Sequence, residues 1–251
     1  MVFLRRILKI LAVLLWLPLI GVYSFFMQIG GWSGIKRVSY CTRMWGYVIT
    51  KIFNIKIKVY GNPADFKGGL IVSNHLGYLD PLVHSALFPV RFAPKKDIRS
   101  WPVLGWYLNV SHPIWVDRSA RQKSKELEIM FEETIAHGIP LLVYPEGTSS
   151  SGEEGILRFK STSFESASEI NCPILPLITT YQKASDGKLL SWYGDDPLLS
   201  NLWRVLGYKK VYVEVRILPV IMPEKRNRKE LAEYVHQVME KEYWKIKNAS
   251  H

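Results

Sequence analysis

The 251-residue sequence predicts an α/β protein, a layered and mostly parallel sheet flanked by helices, preceded by an N-terminal two-helix membrane motif. Two observations lead to this prediction. From residue 55 onward, short apolar runs alternate with polar or helical segments, as in buried strands joined by helices. Before residue 55, a long uncharged apolar run is followed by a stretch with apolar residues at helical spacing. We therefore assign residues 1–54 to the membrane motif and residues 55–251 to the α/β domain.

The first predicted element is an apolar helix that follows Arg5, Arg6 and Lys9. Residues 10–27 carry no charge, and this run is close to the ~20 residues that cross a bilayer. A secretory signal peptide is the alternative, but no convincing cleavage site with small residues follows. Basic residues flank the helix on both sides, so they give no clean orientation for a single span. We therefore expect a membrane-embedded or interfacial motif whose ends both return to the cytoplasmic side.

The second predicted element is an amphipathic helix over residues 33–53. Apolar residues recur at helical spacing, and basic residues occupy polar positions between them. The alternative is that this helix simply packs on the α/β domain.

The apolar runs of the α/β domain predict strands over residues 55–60, 70–73, 90–93, 113–116, 141–144, 174–179 and 211–218. The clearest helix between strands covers residues 121–137 and ends at Gly138. A strongly charged helix over residues 228–247 is expected to close the chain.

Composition is consistent with a protein that works at a lipid surface. The formal net charge is +11, and a basic excess with many aromatic residues favours attraction to anionic membrane lipids. Nucleic-acid binding would explain the same charge, but no nucleic-acid-binding motif is present and a long apolar segment is. Two cysteines, Cys41 and Cys172, indicate neither a disulfide framework nor a cysteine-rich metal site.

The candidate chemistry begins at Asn74 and His75, which follow the apolar run 70–73, with Asp80 shortly after. Histidine is the side chain best suited to accept a proton near neutral pH, and a nearby carboxylate can fix its tautomer. This arrangement predicts a general base with a carboxylate partner. The alternative is structural, with Asn74 as a turn residue and Asp80 as a helix cap.

Two further segments end predicted strands in polar residues. Pro145 should stop the strand 141–144, so that Glu146 and the backbone N–H groups after it face a cleft. Such N–H groups can bind an anion. The run 113–116 would bring Arg118 to the same edge, and arginine suits phosphate recognition. The alternatives are an ordinary Gly/Ser turn and a surface pair of Asp117 with Arg118.

The acidic residues and histidines show no familiar metal-ligand spacing, so no metal is predicted. Glycosidase chemistry by Asp80 and Glu146 is a further alternative, which the apolar segment and the basic residues disfavour.

These segments, together with residues 172–177 (Cys-Pro-Ile-Leu-Pro-Leu), resemble in order and spacing the four motifs of the glycerolipid acyltransferase family, whose members make phosphatidic acid from lysophosphatidic acid. Residues 95–97 and 102–105 are similar to the segment between the first two motifs. The resemblance covers about residues 55–220 and implies the α/β fold of that family.

The resemblance implies a membrane-bound O-acyltransferase without a cofactor, whose acyl donor is acyl-CoA or acyl carrier protein. His75, oriented by Asp80, would remove a proton from the sn-2 hydroxyl of 1-acyl-glycerol-3-phosphate, giving phosphatidic acid. The enzyme would act at the bacterial inner membrane, with its catalytic domain on the cytoplasmic side. The predicted substrate-binding residues are Asn74, Lys95, Arg118, Glu146, Gly147, Thr148, Arg158 and Lys160.

One position departs from the family pattern. Phosphatidic-acid-forming members usually carry an arginine that is thought to hold the acceptor phosphate, where this chain has Ser149. The sequence around Ser149 looks like that of members acting on other lysolipids, including lyso-ornithine lipid. Such an acceptor is the alternative function, and a noncatalytic membrane adaptor is the lesser one.

Overall fold

The computed structural model describes residues 1–101, 104–117 and 124–249. Its central element is a six-stranded sheet with the order β1-β6-β5-β2-β4-β3. The strands are β1 Ile55–Tyr60, β2 Leu70–Ser73, β3 Arg91–Phe92, β4 Leu141–Val143, β5 Ile174–Tyr181 and β6 Val211–Ile217. Every neighbouring pair is parallel except β5 with β6. The predicted mostly parallel α/β sheet is therefore confirmed.

The helices are α1 Val2–Met27, α2 Trp32–Phe53, α3 Leu79–Leu87, α4 Leu104–Val110, α5 Ser124–Ala136, α6 Glu165–Glu169, α7 Leu198–Gly207 and α8 Arg228–Ala249. One face of the sheet packs against α5 and α8, and Leu70 and Val72 of β2 point to it. The other face packs against α1, α2, α3 and α7, and Ile71 points to that side. Alternate residues of a fully buried central strand thus supply both cores.

Helix α2 packs on the α/β domain along its inner side. Val38, Trp45 and Ile49 are buried, and the last two share a core cluster with residues of α3. This is the packing that the sequence offered as the alternative to membrane burial. Tyr40, Met44 and Tyr47 remain exposed on the outer side, so α2 keeps an apolar surface away from the core.

Helix α1 is, within the described part of the chain, the one helix long and apolar enough to cross a membrane. It is nevertheless tied to the rest of the protein at both ends. Arg5 donates to Gly207 O at 2.6 Å, and Lys9 Nζ donates to Tyr208 O at 2.9 Å. At the far end, Gln28 Oε1 lies 2.7 Å from His112 Nε2. Its outward side exposes large apolar residues: Leu4, Leu8, Leu11, Leu14, Leu15, Leu19, Val22, Phe25 and Phe26.

The predicted strand 113–116 is wrong. This segment runs beside β3, where Ile114 N donates to Phe92 O, but only an isolated bridge forms, between Val116 and Lys95. The ladder is incomplete because Pro94, which would be the next donor, to Ile114 O, has no N–H. Residues 118–123, which include Arg118 and the predicted start of helix 121–137, lie outside the described residues.

Candidate active site

The candidate site lies where the carboxyl ends of three neighbouring strands meet. His75 follows β2, Glu146 follows β4, and Tyr181 is the last residue of β5. Because β2 is parallel to both β4 and β5, these ends share one edge of the sheet. Ligands bind at such edges in open α/β sheets.

His75 and Asp80 form a hydrogen-bonded pair. His75 Nδ1 lies 2.8 Å from Asp80 Oδ2. Asp80, in the first turn of α3, has a fully buried side chain, whereas the His75 side chain is 22% exposed. A proton on Nδ1 is donated to the carboxylate, which leaves Nε2 with the lone pair that a general base requires.

The Asp80 carboxylate is held by three more donors. Its Oδ2 accepts from Leu76 N at 2.6 Å and Gly77 N at 2.9 Å, and its Oδ1 accepts from Tyr181 OH at 2.8 Å. Burial raises the pKa of Asp80, but the hydrogen bond and charge of His75 outweigh it, so this pKa lies below its ordinary value. Asp80 therefore stays ionised and can stabilise an imidazolium at His75.

A layer of buried polar side chains lies behind His75. The Tyr144 ring stacks on the imidazole of His75, with centroids 4.2 Å apart, and Tyr144 OH lies 2.9 Å from His84 Nδ1. His84 Nε2 in turn lies 2.7 Å from Thr179 Oγ1. Burial lowers the pKa of His84 to about 4, so this ring is neutral at physiological pH. The layer limits the movement of the His75 ring.

Asn74 is braced against β5. Its amide donates to Thr179 O at 3.0 Å, and its Oδ1 accepts from Thr179 N at 2.8 Å. The side chain is 2% exposed. These contacts fix the chain just before His75, and the substrate contact predicted for Asn74 stays a prediction.

The loop of residues 144–150, here called the glutamate loop, is bound to both the backbone N–H and the backbone carbonyl of His75. Glu146 Oε1 accepts from His75 N at 2.8 Å, and Ser150 N donates to His75 O at 2.9 Å. Glu146 Oε2 also accepts from Leu157 N at 3.2 Å. Burial raises the pKa of Glu146 to about 8, although the two N–H donors act against it. Glu146 thus ties the glutamate loop to the base, and a direct substrate contact stays a prediction.

Gly147 allows Lys160 to lie against the glutamate loop. Gly147 has a φ of +73°, and a Cβ there would stand 2.6 Å from Lys160 Nζ. Lys160 N also donates to Pro145 O at 2.8 Å. The structure therefore brings a flexible ammonium group to the loop that holds His75.

The other predicted binding residues are less closely associated with His75. Thr148 and Arg158 are exposed, and Lys95 stands at the start of a 3-10 helix, Lys96–Ser100, bridged to Val116. No group of three or more His, Cys, Asp or Glu residues gathers as a metal site in the described ranges.

Sequence reasoning missed Tyr181, the donor to Asp80 Oδ1. It lies 101 positions from Asp80 in the chain, and no local pattern points to it. The signal that could have found it is positional, since a polar residue at the end of a buried strand next to β2 belongs to the same sheet edge.

Comparisons with known proteins find the same fold and a matching family. The family model described as Acyltransferase matches residues 56–180, which include His75, Asp80 and Glu146 and make up about half of the chain. In the solved 1-acyl-sn-glycerophosphate (LPA) acyltransferase of Thermotoga maritima, the same fold recurs with a TM-score of 0.72 and 19% identity, over 98% of this chain and 95% of that one.

Two kinds of curated relative match the sequence. A 1-acyl-sn-glycerol-3-phosphate acyltransferase of Neisseria gonorrhoeae is 30% identical over 61% of this chain, and the match spans 60% of that relative's length. A lyso-ornithine lipid O-acyltransferase of Pseudomonas aeruginosa is 29% identical over 79% of this chain and 76% of its own length. Together with the family model, whose matched residues include the His75–Asp80 pair, these matches show that the chain belongs to the acyltransferase family.

Proposed function

We propose that the protein is a lysolipid O-acyltransferase, which moves a fatty acyl group from a thioester donor to a free hydroxyl of a lysolipid. The observation that carries this proposal is the His75–Asp80 pair at the sheet edge, inside the segment that matches the family model. The paired and buried carboxylate is what a histidine general base needs. A noncatalytic adaptor would have no need of such a pair.

In the proposed reaction, His75 Nε2 accepts the hydroxyl proton while the hydroxyl oxygen attacks the thioester carbonyl. The tetrahedral intermediate then expels the thiolate, which takes the proton from His75, and no acyl-enzyme forms. General-base catalysis of this kind contributes about 10² to 10⁴-fold, so alignment and oxyanion stabilisation must supply the rest. Backbone N–H groups near Gly147, or the Lys95–Lys96 segment, are candidate oxyanion donors.

For the acceptor, we propose the sn-2 hydroxyl of 1-acyl-glycerol-3-phosphate, giving phosphatidic acid. The second candidate is lyso-ornithine lipid, because the relative with that name matches more of this chain and position 149 is a serine. Lys160 places its ammonium group against Gly147 of the glutamate loop. We propose that it meets an anionic group of the acceptor head in either case, with acyl-CoA or acyl carrier protein as donor.

For the location, we propose that α1 lies along the surface of the inner membrane, with the catalytic domain on the cytoplasmic side. From Arg5 to Gln28 a helix extends about 35 Å, and the α/β domain contacts both ends. A crossing α1 would therefore pull the domain into the hydrocarbon layer, which polar surface opposes. An in-plane helix exposes its apolar side to lipid and keeps these contacts.

The test is acyl transfer by the purified full-length protein in detergent, beside His75→Ala, followed by mass spectrometry. Lysophosphatidic acid, lysophosphatidylcholine and lyso-ornithine lipid are offered as acceptors, with acyl-CoA and acyl carrier protein as donors. We expect His75-dependent phosphatidic acid as the main product. A preference for lyso-ornithine lipid would select the second candidate. Transfer that His75→Ala leaves unchanged would overturn the mechanism, and no transfer with any pair would favour the adaptor.

A further inference from the structure

We infer that α7 is a second membrane contact, joined rigidly to α1, and that it places Leu199 and Trp203 in an anionic lipid bilayer. The inference rests on the proposed attachment of α1 to the membrane and extends it. Because α7 belongs to residues 55–251, the membrane-facing surface would reach beyond the predicted N-terminal motif.

The first argument is the exposure of apolar side chains on α7. Leu199 is 79% exposed and Trp203 is 37% exposed. These residues lie one helical turn apart, so they share one side of the helix. Asn201 and Val205, on the inner side, are buried. The outer side of α7 thus presents a leucine and a tryptophan that the core of the chain does not use.

The second argument is continuity with α1. The Phe3 and Trp203 rings meet edge to face with centroids 6.3 Å apart, and the Arg6 guanidinium lies 4.8 Å above the Trp203 ring. Arg5 and Lys9 bind the carbonyl groups of Gly207 and Tyr208, at the end of α7. A bilayer that receives the start of α1 therefore meets Trp203 as well.

The third argument is chemical and selects lipid as the occupant. Tryptophan is favoured at the membrane–water boundary, where an apolar ring and a polar N–H both find partners. Arg6 stands beside Trp203, and Lys209 and Lys210 are exposed just after α7. Basic groups at the border of an apolar surface match anionic headgroups. This combination favours a bilayer over a second copy of the same basic chain.

The inference has a mechanical consequence. A single in-plane helix can roll about its own axis, whereas contacts at α1 and α7 together fix the rotation of the domain. The sheet edge that carries His75 would then keep a constant direction relative to the lipid surface.

The experiment uses the full-length protein with one cysteine introduced on each helix and labelled with an environment-sensitive fluorophore. Leu199→Cys reports α7, and Leu15→Cys, at a position 71% exposed, reports α1. Ile129→Cys is the control, because Ile129 is 48% exposed on α5, which covers the opposite face of the sheet. The native Cys41 and Cys172 are both buried, and labelling of the parent protein without an introduced cysteine gives the background signal.

Phosphatidylglycerol vesicles are added, some of them with nitroxide groups on the acyl chains. We expect a blue shift and nitroxide quenching at positions 199 and 15 and no change at position 129. A response at 15 without one at 199 would overturn the role of α7 and leave the attachment of α1 intact. Silence at both would overturn both.

A signal at 199 that grows with protein concentration in the absence of vesicles would identify a second copy as the occupant and would also refute the inference. As an independent measurement, Leu199→Ser combined with Trp203→Ser should weaken vesicle binding by about tenfold, because two apolar anchors are lost. Ile129→Ser should leave binding unchanged, and thermal melting would show whether each variant is folded. Unchanged binding by the folded double variant would contradict the role of α7.

Discussion

Asp80→Asn separates the charge of this residue from its place in the structure. The two side chains have the same shape, and an amide oxygen at the Oδ2 position can still accept from His75, Leu76 and Gly77. The amide nitrogen would take the Oδ1 position and donate to Tyr181 OH, since a hydroxyl can also accept. The contacts survive while the negative charge is lost.

The expected loss is worked from the His75–Asp80 contact. Two opposite charges about 4 Å apart interact by about 4 kcal/mol at an effective dielectric constant of about 20. This interaction exists in the reaction only when His75 carries the transferred proton, so it stabilises the transition state. At about 1.4 kcal/mol for each factor of ten, kcat should fall by about 10³-fold.

The assay is the steady-state rate of acyl transfer over a range of pH, with thermal melting to verify the fold. We expect KM for the lysolipid to change little, because Asp80 is fully buried and does not reach the acceptor. A correctly folded Asp80→Asn protein whose kcat stays within about threefold of the parent would refute a charge-stabilised histidine base. His75→Ala provides the lower limit for comparison.

Three further predictions follow from the site. Tyr181→Phe leaves Asp80 Oδ1 without its donor, so kcat should fall by about tenfold and the acidic limb of the pH–rate profile should move to higher pH. The control is Tyr78→Phe, which removes a similarly buried hydroxyl that is bonded to Asn201. This variant should lower the melting temperature without moving the acidic limb. If both variants shifted the pH–rate profile equally, the role of Tyr181 would be merely structural. Glu146 has a pKa of about 8 in the folded chain and an ordinary value of 4.5, so the folded state holds a proton that the unfolded state has lost. The free energy of unfolding should therefore decrease as pH rises between these two pKa values. Thermal melts at several pH values should show a smaller decrease for Glu146→Gln. If stability depended on pH equally in the variant and the parent, Glu146 would not be the buried group that binds this proton. Lys160→Gln should raise KM for a phosphate-bearing acceptor by about tenfold. Lys67→Gln, at an exposed position before β2 and so at the opposite edge of the sheet, should change this KM little, and equal effects would remove Lys160 from its proposed role.

Local sequence signals explain which parts of the fold and site could be predicted. His75 closely follows a buried strand and Asp80 lies in the first turn of the next helix, so their contact follows from the chain alone. The apolar pattern likewise identified all six strands of the sheet and both N-terminal helices. Periodic burial determines elements of this kind.

Contacts between distant segments explain what could not be predicted. The Tyr144 stack on His75 and the Tyr181 bond to Asp80 depend on strand order, which no short motif encodes. The run 113–116 has the composition of a strand, but the facing Pro94 has no N–H with which to continue the ladder. The sequence does not show that the exposed side of α7 continues the apolar surface of α1, because this depends on the contact between Phe3 and Trp203.

The double attachment of the glutamate loop to His75 links substrate choice to reaction rate. Ser150, whose N–H is bonded to the carbonyl of His75, is the direct neighbour of Ser149, the position that departs from the family pattern. A bulkier or charged side chain at position 149 can shift the backbone of Ser150 and, through it, the base. A substitution at position 149 that adapts the enzyme to a new lipid headgroup would therefore alter kcat together with KM. Compensating changes would then be selected in the segment that supports His75.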